Sequence, residues 1–273
     1  MLTVDFERLD IRPGYRILDI GCGSGRHTAG AASYPGITAI GVDRCLQHVR
    51  EARSRLIDHE TLGLCRGRWR TLVADIGALP FRDAYFDLVI CAEVLEHMPN
   101  DKAAVAEIAR VLKPGRNLVV SVPRCYPEAL CWALSMDYHA VEGGHVRIYR
   151  SGALRKLLAS AGLALWGRHW AHSLHTPYWW LKCLVGPHRR DVAAVNCYHR
   201  LLVWDLMQKP RLSRLIERLL NPVLGKSLVF YLRKTAPLDS GPPTAKPDLR
   251  SGPQRAVAAA DITQAAFHRI YRS

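Results

Sequence analysis

Five short runs of apolar, largely β-branched residues alternate with helical stretches in the first half of the chain, and this alternation narrows the possible folds more than any other feature. "RILDIG", "TAIGVD", "WRTLVAD", "FDLVICAE" and "NLVVSVP" read as buried strands. Between them, "GRHTAGAASY", "LQHVREARSRLID" and "DKAAVAEIARVLKPG" carry helical periodicity, the last stopped by Pro114 and Gly115. Strands linked through helices lie parallel in an open sheet with helices on both faces, and ligands on such sheets sit at the carboxyl ends of the strands. The expected class is α/β, a Rossmann-like open sheet.

The first of those strand ends is "ILDIGCGSG". Gly21, Gly23 and Gly25 allow a tight turn out of the strand and a close approach of backbone to a ligand. Their spacing is G-x-G-x-G, whereas the dinucleotide fingerprint is G-x-G-x-x-G. Asp19 precedes the first glycine by two residues, and a carboxylate there would repel a pyrophosphate and attract an ammonium or a sulfonium. A nicotinamide-dependent oxidoreductase, which shares the sheet, needs the other spacing. It stays as the second alternative function.

Together, "ILDIGCGSG", "IGVDR", "VADIGALPF", "FDLVICAEVLEHMPN" and "LKPGRNLVVSVPR" resemble the class I S-adenosylmethionine-dependent methyltransferases, particularly the branch acting on small molecules and lipids. The resemblance covers roughly residues 8–170 and implies S-adenosylmethionine as cofactor. It implies that Asp19, Gly21, Gly23 and Gly25 hold the methionine portion, and that Asp43, with Arg44 beside it, receives both ribose hydroxyls on its two acceptor oxygens. Asp75 would take the adenine amino group and Ile76 pack on the ring; Ala92 and Glu93 would line the methionine side, and His97 a wall of the pocket. Singly, each aspartate reads equally as a helix cap or turn residue.

Glu96 and His97 also raise a metal reading, but neighbours in sequence do not converge as i, i+4 ligands do, so the sequence assigns no metal. The eight cysteines are scattered without a C-x-x-C pair. Methyl transfer from a sulfonium needs positioning and exclusion of water, plus a base when the acceptor is a hydroxyl. His139 and His145 lie where an acceptor should approach and are the acid/base candidates, although His145 can equally serve the loop alone; Arg124, just after the fifth strand, is a substrate-side candidate.

After "LALWGRHWAH", read as the sixth strand, the chain departs from the family pattern, which closes with a hairpin into a final antiparallel strand, here "GKSLVFYLRKT". An insertion at about 171–222 intervenes, rich in Tyr178, Trp179, Trp180, Tyr198 and Trp204 and carrying Arg189 and Arg190, which could meet phosphate. It reads as a helical cap, with Tyr178, Trp179 and Trp180 as substrate-side candidates, and its amphipathic aromatics suit a hydrophobic or lipid-linked acceptor, most readily methylated at oxygen. Charge follows the same division. Through His145 there are 17 Lys/Arg against 18 Asp/Glu, and from Val146 onward 21 against 6.

Such a basic half permits peripheral contact with a membrane, and it keeps an RNA or other nucleic-acid methyltransferase as the first alternative. The Asn/Asp-Pro-Pro-Tyr run that marks base-modifying sites is missing, which disfavours nucleic acid. With no apolar run long enough to span a bilayer and no signal pattern at the start, the expected location is cytoplasmic, with peripheral contact at the inner face of the membrane. Residues 1–235 form the expected domain; 236–273, rich in Pro, Gly and Ser at its start, reads as a disordered linker and a short terminal helix.

Overall fold

The computed structural model describes residues 2–139, 144–189, 191–208 and 210–235, with His139 and Gln208 marking chain positions before gaps. Seven strands form one sheet: β1 (Arg16–Ile20), β2 (Thr38–Asp43), β3 (Arg68–Val73), β4 (Phe86–Ala92), β5 (Leu112–Pro123), β6 (Leu163–Ala171) and β7 (Ser227–Lys234), in the order β3-β2-β1-β4-β5-β7-β6. The first five pair in parallel, and β7 runs antiparallel to both neighbours, from Pro123↔Ser227 on β5 to Ala171↔Ser227 on β6.

Side-chain alternation explains the continuous apolar runs, because both faces of the sheet are covered. Leu18, Ile20, Val89, Cys91 and Val120 point to one face, where α3 (Asp101–Val111) and α6 (Ser151–Ser160) supply Ile108, Leu154 and Leu158. Ile17, Leu88, Ile90 and Val119 point to the other, where α1 (Arg26–Ala32) supplies Ala29 and Ala31, and α2 (Leu46–Thr61) supplies Leu56. Helix α3 ends at Val111, three residues ahead of Pro114, whose ring disfavours helical backbone before it.

Two short helices, α4 (Cys125–Leu134) and α5 (Met136–His139), follow β5. Between β6 and β7 the expected insertion is helical: α7 (His175–Val185), α8 (Ala193–Gln208) and α9 (Arg211–Leu224). Helix α7 packs against α4, with the Trp180 indole donating to the Pro127 carbonyl at 3.1 Å. The readings of Arg190 and of residues 236–273 lie outside the described residues.

Candidate active site

The carboxyl ends of β1 to β4 open into a cleft of about 390 Å³, within the range of small-molecule sites. The chain leaves β1 at Gly21, whose φ of +63° lies in the left-handed region and where an added Cβ would sit 2.3 Å from Val94 Cγ2. Glycine is therefore required there on two counts. A Cβ on Gly23 would meet nothing within 4 Å, since this residue faces the cleft. Gly25 does not line it; it starts α1 and packs against Ala52 of α2, 2.9 Å from where its Cβ would be.

Asp43 ends β2 at the cleft wall. Its Oδ2 accepts from Gly23 N at 3.0 Å and its Oδ1 from Cys45 N at 2.9 Å, and His48 Nδ1 lies 3.3 Å away. A carboxylate oxygen has two lone-pair sites, so Oδ2 retains acceptor capacity toward the cleft, while His48 stands at the second site of Oδ1. Arg44, Asp75, Ile76, Ala92, Glu93 and His97 all line the same cleft. Asp75 Oδ1 also accepts from Gly77 N, closing the turn after β3.

Asp19 departs from its expected place. It shares the face of β1 that carries Ile17, turns beneath α1, and accepts from Thr28 Oγ1 at 2.6 Å without lining the cleft. Burial pushes its carboxyl up to about 7, against the pull of the Thr28 hydroxyl. Its role is to fasten the glycine turn to α1, and the attraction of a cationic ligand assigned to it above does not follow.

Among the cleft residues that the sequence reading did not name are His27 and Thr3. His27 Nε2 accepts from Thr3 N at 3.1 Å, and burial, reinforced by the Arg26 charge, lowers its pKa to about 3. Its position directly after the glycine loop was the available signal. Thr3 itself reaches the cleft from the start of the chain, which no local pattern indicates.

Beyond β4 the cleft meets a cluster of acids and imidazoles. Glu93 has a φ of +58°, rare for a residue with a Cβ, and its Oε1 accepts from Ser121 Oγ at 2.9 Å. Glu96, on the short turn Leu95–His97, is 1% exposed, and among the described residues neither of its carboxylate oxygens has a hydrogen-bond partner. Burial, then the nearby Glu93 charge, holds its carboxyl well above the usual carboxylate range. His97 Nδ1 lies 3.1 Å from the Gly144 carbonyl, and His145 Nδ1 lies 2.5 Å from Glu128 Oε1.

Glu128 is buried on α4 and also accepts from the Trp132 indole and the Tyr138 hydroxyl. Burial raises its pKa, but the His145 bond and the His145 and Lys226 charges outweigh that and leave it lowered. One ligand atom each from Glu96, His97 and His145 lie within 4.8 Å of one another. The sequence argument that Glu96 and His97 do not converge is corrected here, because His145 folds back from far along the chain to complete the group.

The substrate-side candidates scatter. Trp179 packs against Tyr138, ring centroids 5.8 Å apart, with Lys226 Nζ 4.6 Å from its ring, so it adjoins the cluster. Tyr178 instead stacks toward Tyr198 and His199 of α8, and Trp180 is held by Pro127. Arg124 donates to the Val223 carbonyl at 3.1 Å and lies over the Tyr126 and Trp170 rings, clamping the end of α9. Arg189 pairs with Asp191. The side chain of His139 lies outside the described residues.

A sheet ordered 3-2-1-4-5-7-6 with an antiparallel β7, a glycine turn after β1 and carboxylates after β2 and β3 define the class I methyltransferase fold. Residues 18–120 match the family described as "Methyltransferase domain", in agreement with a class I S-adenosylmethionine-dependent methyltransferase fold. It is 35% identical over 116 residues to methyltransferase GfsG of Streptomyces halstedii, covering 42% of this chain and 40% of that one. It is 38% identical over 114 residues to O-methyltransferase cnsE of Penicillium expansum, covering 42% and 40%. The chain thus spans less than half the length of these relatives. A SAM-dependent methyltransferase structure from Methanosarcina mazei superposes with a TM-score of 0.58 at 17% identity, covering 86% of this chain and 99% of that one.

Proposed function

We propose that the protein methylates an oxygen of a hydrophobic or lipid-linked acceptor, using S-adenosylmethionine. The observation that carries the reading is the pairing of the nucleoside cleft with the Glu96–His97–His145 group, joined through His97, which belongs to both. When bound, S-adenosylmethionine supplies an electrophilic methyl group on a sulfonium. Asp43 holds the ribose hydroxyls, the glycine turn positions the amino-acid end, and the acceptor hydroxyl gives up its proton at the imidazole–carboxylate group. His145 takes part there directly and Glu128 orients it. The O-methyltransferase among the relatives favours oxygen.

The acceptor's apolar character is supported by α9. Leu212, Leu215, Ile216, Leu219 and Val223 form one stripe at helical spacing, and it faces outward, with Leu212 and Leu219 each 68% exposed. The polar side faces in: Arg214 pairs with Asp205 and Glu217, and Asn221 Oδ1 accepts from Ser173 N. An apolar groove of about 230 Å³, walled by Leu201, Leu202, Leu212 and Ile216, continues that surface. Exposed Arg211 and Arg218 flank the stripe, which suits an anionic lipid surface. Among the described residues no helix is long and apolar enough to cross a membrane.

The test is a transfer assay with radiolabelled S-adenosylmethionine over anionic-lipid vesicles carrying extracted lipids, alongside RNA. His145→Ala is expected to lower turnover at least about tenfold while cofactor affinity stays within twofold of the parent, given that general acid–base groups contribute about 10²–10⁴. Labelling of RNA in place of lipid, or transfer unaffected by His145→Ala, would overturn it.

A further inference from the structure

The Glu96–His97–His145 group has more in it than proton transfer requires. Glu96 is a buried carboxylate with neither oxygen partnered by a side chain among the described residues, which is costly unless a proton or a cation sits against it. Both imidazoles have Nδ1 engaged, His97 by the Gly144 carbonyl and His145 by the Glu128 carboxylate, which leaves each Nε2 as the nitrogen open to a ligand. A carbonyl or carboxylate behind a histidine is the arrangement that fixes tautomer and ring direction in metal sites. The local charge agrees. The Glu93 and Glu128 carboxyls lie close enough to act on Glu96, with Lys226 opposing them, and a cation bound at Glu96 would take the place of its proton.

From these observations we propose that Glu96, His97 and His145 bind one divalent transition-metal cation, with Glu128 as the positioning residue behind His145. Two imidazoles and one carboxylate suit Mn²⁺, Fe²⁺, Co²⁺ or Zn²⁺ better than Mg²⁺ or Ca²⁺. The donor atoms lie within 4.8 Å of one another. Ligand bonds of about 2.0–2.2 Å in tetrahedral geometry set donors roughly 3.3–3.6 Å apart, so the widest pair closes by about 1.2–1.5 Å on binding. Three protein ligands leave coordination positions open, and His97 directs them at the cleft. The ligand class for those positions is an oxygen donor, the acceptor hydroxyl of the function proposed above. That assignment rests on the function, whereas occupancy of the site by a cation does not. In the cation-bound protein His145 is a ligand, and the hydroxyl's proton leaves to water.

The test uses the full chain stripped by chelator and titrated with Co²⁺ alone, followed by visible absorption, with metal content measured after dialysis. One cobalt per chain with nitrogen- and oxygen-ligand bands is expected. Glu96→Gln and His145→Gln should each weaken binding at least about tenfold, and Glu128→Gln by about 10- to 100-fold with the band positions unchanged, since the ligand set is intact. Asp43→Ala should lose cofactor affinity and keep cobalt. S-adenosylmethionine affinity, measured by calorimetry on the stripped protein, should be independent of cobalt; its absence would overturn the methyltransferase function and leave the metal site standing. No saturable band in the parent, a thiolate charge-transfer band reporting cysteine ligation, or equal binding by folded Glu96→Gln and parent would overturn the site. The parent titration decides the matter even if a variant fails to fold.

Discussion

Asp43→Ala separates cofactor binding from the rest of the molecule. In the parent each carboxylate oxygen already serves one backbone donor, Gly23 N at 3.0 Å and Cys45 N at 2.9 Å; His48 Nδ1 lies 3.3 Å from Oδ1, and Oδ2 offers its second lone-pair site to the cleft. Removing the carboxylate therefore has two effects. The bound ribose hydroxyls lose a charged acceptor, at about 1.5–3 kcal/mol for hydrogen bonds to a charged group, or roughly ten- to hundredfold in affinity. The two N–H groups lose their partner as well, costing about 1–3 kcal/mol where water cannot replace it, so the melting temperature should also fall.

Calorimetric titration with S-adenosylmethionine and with its demethylated product gives the first quantity, and a ligand-free melt the second. Cys22→Ala is the control, because Cys22 is buried in the same turn while its thiol donates only weakly, to the Gly23 carbonyl at 3.8 Å. Affinity losses that are equal and small in the two variants would refute the assignment, leaving Asp43 as a turn residue. A collapsed melt with affinity preserved at low temperature would do so too.

Gly21→Ala is expected to lower the melting temperature by about 4 °C or more and to weaken cofactor binding, because left-handed backbone costs about 1–2 kcal/mol with a Cβ and Val94 lies 2.3 Å from it. Adding Val94→Ala should restore only the steric part, and a full rescue in the melt would show that the backbone angle is unstrained. His27 stays neutral in the folded protein down to about 3 but takes a proton near 6.5 when unfolded. Its stabilisation is complete above pH 6.5 and is lost as pH falls toward 3, at up to about 1.4 kcal/mol per pH unit; His27→Gln should flatten the acid limb of a stability–pH series, and identical limbs would refute this. Trp179→Ala, beside Tyr138 and Lys226, should cut turnover with cofactor affinity and melt near normal, whereas Trp180→Ala, which releases Pro127, should lower the melt. Matching melts for the two would remove the distinction.

The strand ends were legible because each is a local event. Asp43, Arg44, Asp75, Ile76, Ala92 and Glu93 follow apolar runs whose length sets where the chain emerges from the sheet, and all six reach the cleft. Asp19 was misplaced for a reason of period two. It alternates with Leu18 and Ile20, so it shares the α1 face with Ile17 and meets Thr28, a direction that spacing from the glycines does not encode. Glu93, Glu96, His97 and His145 each drew notice in the sequence, but their meeting as one acid–imidazole group was not legible. Its members come from the turn after β4, from α4, from the segment after α5 and from the residue before β7, and no pairwise spacing in the sequence joins Glu96 to His145 or either to Lys226.

The insertion illustrates a different limit. A stripe of leucines at i, i+3, i+4 and i+7 in "RLSRLIERLL" predicts a helix with its apolar side turned inward, and the helix is present. Its orientation is the reverse, because Asp205 of α8 pairs with Arg214 and the Ser173 N–H before α7 donates to Asn221 Oδ1, side-chain contacts that only the polar face can make. Burying those polar groups unpaired would cost about 1–3 kcal/mol each, more for the charged ones, and so the paired polar face goes in. The leucines then stay in water, where their exposure is unfavourable at about 25 cal/mol per Å² of apolar surface unless an apolar phase covers them. An apolar stripe held outward by ion pairs, with the basic excess of the chain around it, is the physical reason to look for the acceptor at a lipid surface. Leu212→Glu with Leu219→Glu should abolish sedimentation with anionic vesicles and leave binding of S-adenosylmethionine intact, since both side chains are exposed and neither lines the cleft.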